Sequence, residues 1–249
     1  MLEVSDLRKS YEGTLAVHGL TFAVPAGEVL GLVGPNGAGK TSTLRCLAGI
    51  LRPTGGRVLV DGIDLAVRPV DAKRRLAFVP DEPHLFEYLT VEEHLRFVAR
   101  LYGVDDAESK AAALLEELEL TPKRRALPDE LSRGMTQKLA IACGLLHDPQ
   151  VLLLDEPLTG LDPVGIRRMK ATIAARARAG AAVVLSSHLL HLVEQLCTRL
   201  LVVRLGRTVA SGTIDEIVAA RPELAGLPLE ELFVALTEGD APMPDGVPR

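Results

Sequence analysis

The chain has no tryptophan, and among its 249 residues only five are Phe, three Tyr and three Cys. The cysteines, Cys46, Cys143 and Cys197, are odd in number and widely spaced, without the CxxC spacing of zinc or redox sites. A disulfide framework is therefore not expected; reduced core thiols in a cytosolic chain are. Basic residues are also scarce: 28 Lys and Arg stand against 33 Asp and Glu, a formal charge of −5. Phosphate neutralisation needs clustered Lys and Arg, so no nucleic-acid partner is expected. Long apolar runs are missing too. The longest stretches free of Asp, Glu, Lys and Arg, 13–27 and 179–193, have 15 residues each and contain Gly and polar residues, whereas a spanning helix needs about 18 to 20 mostly apolar ones. The opening MLEVSDLRKS carries acids early and lacks a basic region followed by an apolar one, so no secretory signal is expected and the protein should stay where it is made. Against these absences, the mean hydropathy of +0.21 is high, which points to surface buried against a partner.

The length suits one large domain or two small ones. Apolar runs alternate with helical patterns, the arrangement of an α/β protein with a mainly parallel sheet. Segments around Val4, Leu20–Val24, Val29–Val33 and Arg57–Asp61 read as strands, and a small antiparallel section near the N-terminus accompanies the main sheet. After the strand Leu76–Val79 the pattern changes. Thr90 precedes Glu93 as a capping box, with Val91, Leu95, Val98 and Tyr102 at helical spacing, and Ala111–Leu120 reads as a second helix. Residues 84–148 are expected to form a helical subdomain within a domain spanning 1–235. Val151–Leu154 and Ala182–Leu185 are apolar runs without polar alternation, as in strands covered on both faces. Asp162-Pro163 is an N-cap followed by Pro at the first helical position, with Ile166, Met169 and Ile173 facing inward. A helical tail follows Gly212; residues 236–249 are expected to be a flexible tail, and Gly239–Arg249, with three Pro and two Gly, to be disordered.

Gly34-Pro35-Asn36-Gly37-Ala38-Gly39-Lys40-Thr41 fits GxxxxGK[ST] between the apolar run Val29–Val33 and the helix-compatible stretch Ser42–Leu51. That strand, loop, helix context is what the motif needs. Glycines let successive N–H groups face inward as an anion nest, and the following helix adds its positive end. Lys40 supplies a point charge to the β and γ phosphates, while the Thr41 hydroxyl suits Mg²⁺. Downstream, Val151-Leu-Leu-Leu-Asp155-Glu156-Pro157 is a buried strand ending in two carboxylates. Asp155 suits a Mg²⁺ contact and Glu156 suits polarising the attacking water. The expected fold is a P-loop NTPase with a mainly parallel core sheet, an N-terminal antiparallel β section and a helical subdomain.

Between these sites lies Leu131-Ser132-Arg133-Gly134-Met135, which resembles the LSGGQ motif of the ATP-binding cassette (ABC) family. The order Tyr11, P-loop, LSRGM, LLLLDEP, Gly160-Leu161-Asp162-Pro163 and Ser187-His188 is similar to that of a complete ABC nucleotide-binding domain, over about residues 2–235. The resemblance implies roles position by position. Tyr11 would stack on adenine, and Gly34 through Ser42 would hold the phosphates. Ser132 and Gly134 would meet the γ-phosphate bound by a second ABC subunit, in a homodimer. Asp162 would lie at the dimer seam, and His188 would hydrogen-bond the γ-phosphate. Glu156 and His188 would be the catalytic pair, with ATP as nucleotide and Mg²⁺ as cofactor. The implied partner is a multi-span membrane permease, received in a groove near residues 80–102 that includes Phe86 and Tyr102. The implied location is cytoplasmic, peripheral on the inner face of the cell membrane.

Two positions depart from the family pattern. Where the family usually has Gln beside Mg²⁺ and the water, this chain has Asp81, shorter, acceptor-only when ionised and negatively charged, yet still able to ligate Mg²⁺. The second is Arg133, with Met135, inside LSRGM. The variant motif, together with Leu229-Glu-Glu-Leu-Phe-Val-Ala-Leu236, is similar to cassettes that serve separate permeases in bacterial export. Two other readings compete: a cassette that regulates a membrane complex without transport, and a soluble ATPase of DNA repair or chromosome structure. The latter carries long coiled coils between the P-loop and the signature, and no sustained heptads occur between Lys40 and Ser132.

Overall fold

The computed structural model describes residues 1–238. β1 (Leu2–Tyr11) buries Leu2, Val4 and Leu7, with a register break between Val4 and Leu7, and pairs antiparallel with β2 (Thr14–Val24). The chain then enters β3 (Val29–Val33), every residue of which is buried, and leaves it through the glycine loop into α1 (Lys40–Leu47). β4 (Gly55–Val60) returns to β1 and pairs with β5 (Ile63–Asp64), completing a four-stranded antiparallel sheet of order β2-β1-β4-β5. β4 starts two residues earlier than the expected Arg57 and stops before Asp61, whose φ of +49 turns the chain away.

The main sheet has order β10-β9-β3-β8-β7-β6. Its members are β6 (Leu76–Val79, after the short α2, Pro69–Arg74), β7 (Val151–Asp155), β8 (Ala182–Ser186), β9 (Arg199–Arg204) and β10 (Arg207–Gly212). All neighbours are parallel except β10, which folds back on β9. The unbroken apolar runs follow from two-sided burial. Val151 and Leu153 of β7 face a core shared with the antiparallel sheet and α1, whereas Leu152 and Leu154 face a second core under the helices.

Between β6 and β7 lie α3 (Val91–Tyr102), α4 (Ala107–Glu117) and α5 (Arg133–Leu145). The Thr90–Glu93 capping box is formed, with Thr90 N donating to Glu93 Oε2 at 2.8 Å. The second helix starts four residues before the expected Ala111 and ends at Glu117, because Glu119 adopts φ +58. At at most 13 residues, the three helices are too short for a coiled-coil arm. α6 (Pro163–Arg178) begins at the Asp162 cap and buries Met169 and Ile173. After β8, α7 (Leu190–Leu196), α8 (Ile214–Ala220) and α9 (Leu229–Glu238) build a third core around Val193, Ile217 and Leu232. α9 runs past the boundary expected at 235 because Leu236 is fully buried in that core. The expected disorder of Gly239–Arg249 lies outside the described residues. Among the described residues no helix is long and apolar enough to cross a membrane. All three cysteines are free, and burial raises their thiols to about 11 for Cys46 and about 12 for Cys143 and Cys197.

Leu153 is fully buried in a central strand, so Leu153→Ala is expected to cost about 2–5 kcal/mol. Thermal or denaturant unfolding of the purified variant measures the loss.

Candidate active site

Four adjacent parallel strands, β3, β8, β7 and β6, release their carboxyl ends on one side of the sheet, where open α/β sheets bind ligands. The segments that follow these strands line one pocket. It holds Asn36, Gly37, Ala38, Gly39, Lys40, Thr41 and Ser42 after β3, and Asp81 after β6. Asp155, Glu156 and Thr159 come from the end of β7, His188 follows β8, and Ala16 of β2 closes one wall.

The loop takes its shape from close backbone approach. Gly39 has φ +98, and a Cβ there would sit 2.4 Å from the Ala16 carbonyl oxygen, so neither the conformation nor the space admits a side chain. The Gly206 N–H donates to the Ala38 carbonyl at 3.0 Å and pins the loop to the β9–β10 turn. Gly39 caps α1 without a side-chain hydrogen bond, which leaves first-turn N–H groups for an anion. Gly34 and Pro35 form the base of the loop, where their carbonyls accept from Lys40 Nζ at 2.7 and 3.2 Å. Burial pushes the Lys40 ammonium below the usual lysine range, while Glu156 and Asp155 pull it back up.

The two carboxylates at the end of β7 are held by β8. Asp155 pairs in register with Ser186 and is only 3% exposed; the Ser186 hydroxyl donates to its Oδ1 at 2.5 Å. Glu156 adopts φ +48, unusual for a residue with a Cβ. Its N–H donates to the Ser186 carbonyl at 3.1 Å and to the Ser186 hydroxyl at 3.2 Å, and these bonds stabilise the turn. His188 donates its backbone N–H to Glu156 Oε2 at 3.3 Å and brings Nδ1 to 2.9 Å from the same oxygen. Asp81 faces Arg133, with Nη2 3.4 Å from Oδ1.

The remaining expected residues lie off the pocket wall. Tyr11, exposed at the end of β1, brings its hydroxyl to 3.2 Å from Ser42 Oγ, and Lys9 Nζ sits 5.0 Å from its ring centre. Ser132 caps α5, accepting from Met135 N at 3.3 Å. Gly134 packs on the Gly160 loop, where a Cβ would be 2.9 Å from the Gly160 carbonyl oxygen. Asp162 Oδ1 accepts from Gly165 N at 2.7 Å, as expected of an N-cap. Ser132, Gly134 and Asp162 thus share a neighbouring surface rather than the pocket itself. Sequence reasoning missed Ala16, Thr159 and Ser186. The signal for Ser186 is the strand-end serine beside a strand-end aspartate, which has meaning only once the β7–β8 register is known.

The sequence profile of the ABC transporter family matches residues 17–159. The chain belongs to the ABC transporter family. As a member it is an ATP-binding subunit and an ATPase. It is 31% identical over 243 residues to the ABC-type transporter ATP-binding protein EcsA of Bacillus subtilis, covering 97% of this chain and 98% of that one. It is 37% identical over 248 residues to the Nod factor export ATP-binding protein I of Paraburkholderia xenovorans, covering 97% and 81%. A solved structure described as the ATP-binding subunit of an ABC transporter superposes with a TM-score of 0.90 at 37% identity, over 95% of this chain and 99% of that one. In the present cassette, Ser186→Ala removes the donor to buried Asp155 and the hydroxyl acceptor for Glu156 N, and leaves the main-chain carbonyl as the acceptor for that N–H. It is expected to cost about 1–3 kcal/mol and to slow ATP hydrolysis. Thermal unfolding and phosphate release measured on the same preparation check both effects.

Proposed function

We propose that this pocket binds and hydrolyses ATP to drive export through a separate membrane permease, and that two copies of the chain close on the nucleotide. The observation that carries this reading is the convergence of Lys40, Thr41, Asp155, Glu156 and His188 on one pocket at the carboxyl ends of neighbouring strands. Gly34 through Ser42 wrap the phosphates, with loop N–H groups and Lys40 opposing their charge. Glu156 orients the attacking water and takes up its proton, and His188, fixed on Glu156, reaches toward the γ-phosphate. Positioning and charge stabilisation supply most of the acceleration in such a transfer. Tyr11, beside Ser42 at the rim, offers its ring to adenine.

The donors fit Mg²⁺. Among the described residues no group of three His, Cys, Asp or Glu side chains could hold a metal by itself. Thr41, Asp155 and Asp81 supply hard oxygens, and phosphate and water oxygens complete the set, as is usual for Mg²⁺ at phosphate sites. When bound, the cation neutralises charge on the β and γ phosphates.

Ser132 and Gly134 lie on an exposed surface beside the Gly160–Asp162 loop. There the start of α5 can meet the nucleotide of a second copy, with Asp162 at the seam. For the permease, Phe86, Tyr88, Phe97 and Leu101 offer an exposed apolar patch, with Tyr88 88% exposed and the Phe86 and Phe97 rings edge to face at 5.2 Å. Such a patch fits an apolar helix face, which supports a seat for the cassette on the inner face of the membrane. The relatives named for export and for ABC transport support this reading.

Glu156→Gln is expected to bind ATP, to hydrolyse it at less than about a hundredth of the parent rate, and to accumulate as an ATP-bound dimer in size-exclusion chromatography. Near-parent turnover would remove Glu156 from the reaction. Tyr88→Asp with Leu101→Asp is expected to abolish co-purification with a multi-span membrane protein while sparing ATPase activity of the isolated chain. Undiminished co-purification would place the permease contact elsewhere.

A further inference from the structure

Asp81 and Arg133, the two departures from the family pattern, are 52 residues apart in the chain and meet in space, with Arg133 Nη2 3.4 Å from Asp81 Oδ1. Arg133 is the first residue of α5, directly after Ser132. Its stem lies over Gly160, where a Cβ would be 3.1 Å from Arg133 Cδ and 3.2 Å from Cγ. The bare backbone at Gly160 therefore seats the arginine stem, and the guanidinium points at Asp81. On the other side, Asp81 lines the pocket with Asp155 and Glu156. Three carboxylates thus line the pocket in which a polyanion must bind, with Lys40 as the cation among the lining residues. Asp155 is held by the Ser186 hydroxyl and Glu156 by His188, whereas Asp81 is faced by a guanidinium.

We infer that Asp81 and Arg133 act as one electrically neutral unit at the phosphate end of the pocket, with Arg133 a positioning residue that holds the Asp81 carboxylate and masks its charge. The pair presents an acceptor and N–H donors without net charge, as one amide side chain would. It also joins the pocket of one subunit to the α5 start, which carries Ser132 on the outer surface. Both side chains are exposed, so the contact adds little to stability; its effect falls on the local field instead. This inference rests on the nucleotide reading of the pocket.

The test is binding of the fluorescent analogue TNP-ATP to the purified chain in EDTA, where neither metal nor hydrolysis contributes. Arg133→Ala unmasks the carboxylate and is expected to weaken binding about two- to fivefold, with the shift shrinking at high salt. Made on an Asp81→Asn background, the same change is expected to leave the affinity where Asp81→Asn alone puts it. Arg133→Lys keeps the charge and is expected to match the parent. No shift in Arg133→Ala, or the same shift on the Asp81→Asn background, overturns the inference, the latter by showing that Arg133 acts on the nucleotide directly. A loss in Arg133→Lys equal to that in Arg133→Ala marks a disturbed helix start and overturns it as well. A parent chain that does not bind TNP-ATP defeats the nucleotide reading itself, a failure visible before any variant is compared.

Discussion

The Lys40 ammonium is partly withdrawn from water and wrapped by the loop that precedes it, with the Gly34 and Pro35 carbonyls as hydrogen-bond acceptors. Withdrawal works against its charge, and Asp155 and Glu156 across the pocket work for it. The balance ties the glycine loop after β3 to the carboxylates after β7, two strands separated in the sheet by β8. If the loop moved outward, Lys40 would lose its carbonyls; if β7 shifted in register, the carboxylates would leave the lysine. The rest of the fold keeps these two segments opposite one another.

β8 does much of that work. It lies between β3 and β7, and Ser186 at its end makes three hydrogen bonds with the carboxylate segment: to the Asp155 side chain and, through carbonyl and hydroxyl, to the Glu156 N–H. The second contact accompanies a left-handed Glu156. That conformation lifts the Glu156 side chain off the strand direction and brings it to His188, two residues past Ser186. A strand of five buried residues therefore sets the positions of both Asp155 and Glu156.

Features written in contiguous residues were legible before any coordinates. The glycine loop, the Asp155-Glu156 strand end, the Thr90–Glu93 capping box and the Asp162-Pro163 helix start each depend on neighbours within a few positions, and each is where the pattern puts it. What stayed hidden depends on pairing across the chain. The β7–β8 register turns Ser186 into a partner of Asp155, and no local pattern encodes it. The left-handed conformations of Asp61 and Glu119 end a strand one residue and a helix three residues earlier than expected, because acidic residues mark such positions less clearly than glycine. The meeting of Asp81 with Arg133 was legible only as two separate oddities.

The helical segment between β6 and β7 is held to the core by side chains rather than by strand pairing. At the end of α4, Glu117 accepts from Thr172 Oγ1 at 2.6 Å and from Arg176 at 3.0 Å, both on α6. Glu119 bridges Arg168 of α6 at 2.8 Å and Lys138 of α5 at 3.4 Å. Gly134 of α5 packs on the Gly160 loop that leads to the start of α6. The helical segment and α6 therefore share contacts along most of the length of α6, from the Asp162 end to Arg176. Thr172 is buried, so its hydroxyl bond to Glu117 is shielded from water, whereas the ion pairs around it are part-exposed and add little. The α5 start and the loop that leads to Asp162, far apart in the chain, thus meet at Gly134 and Gly160, and from there Arg133 reaches Asp81 at the pocket.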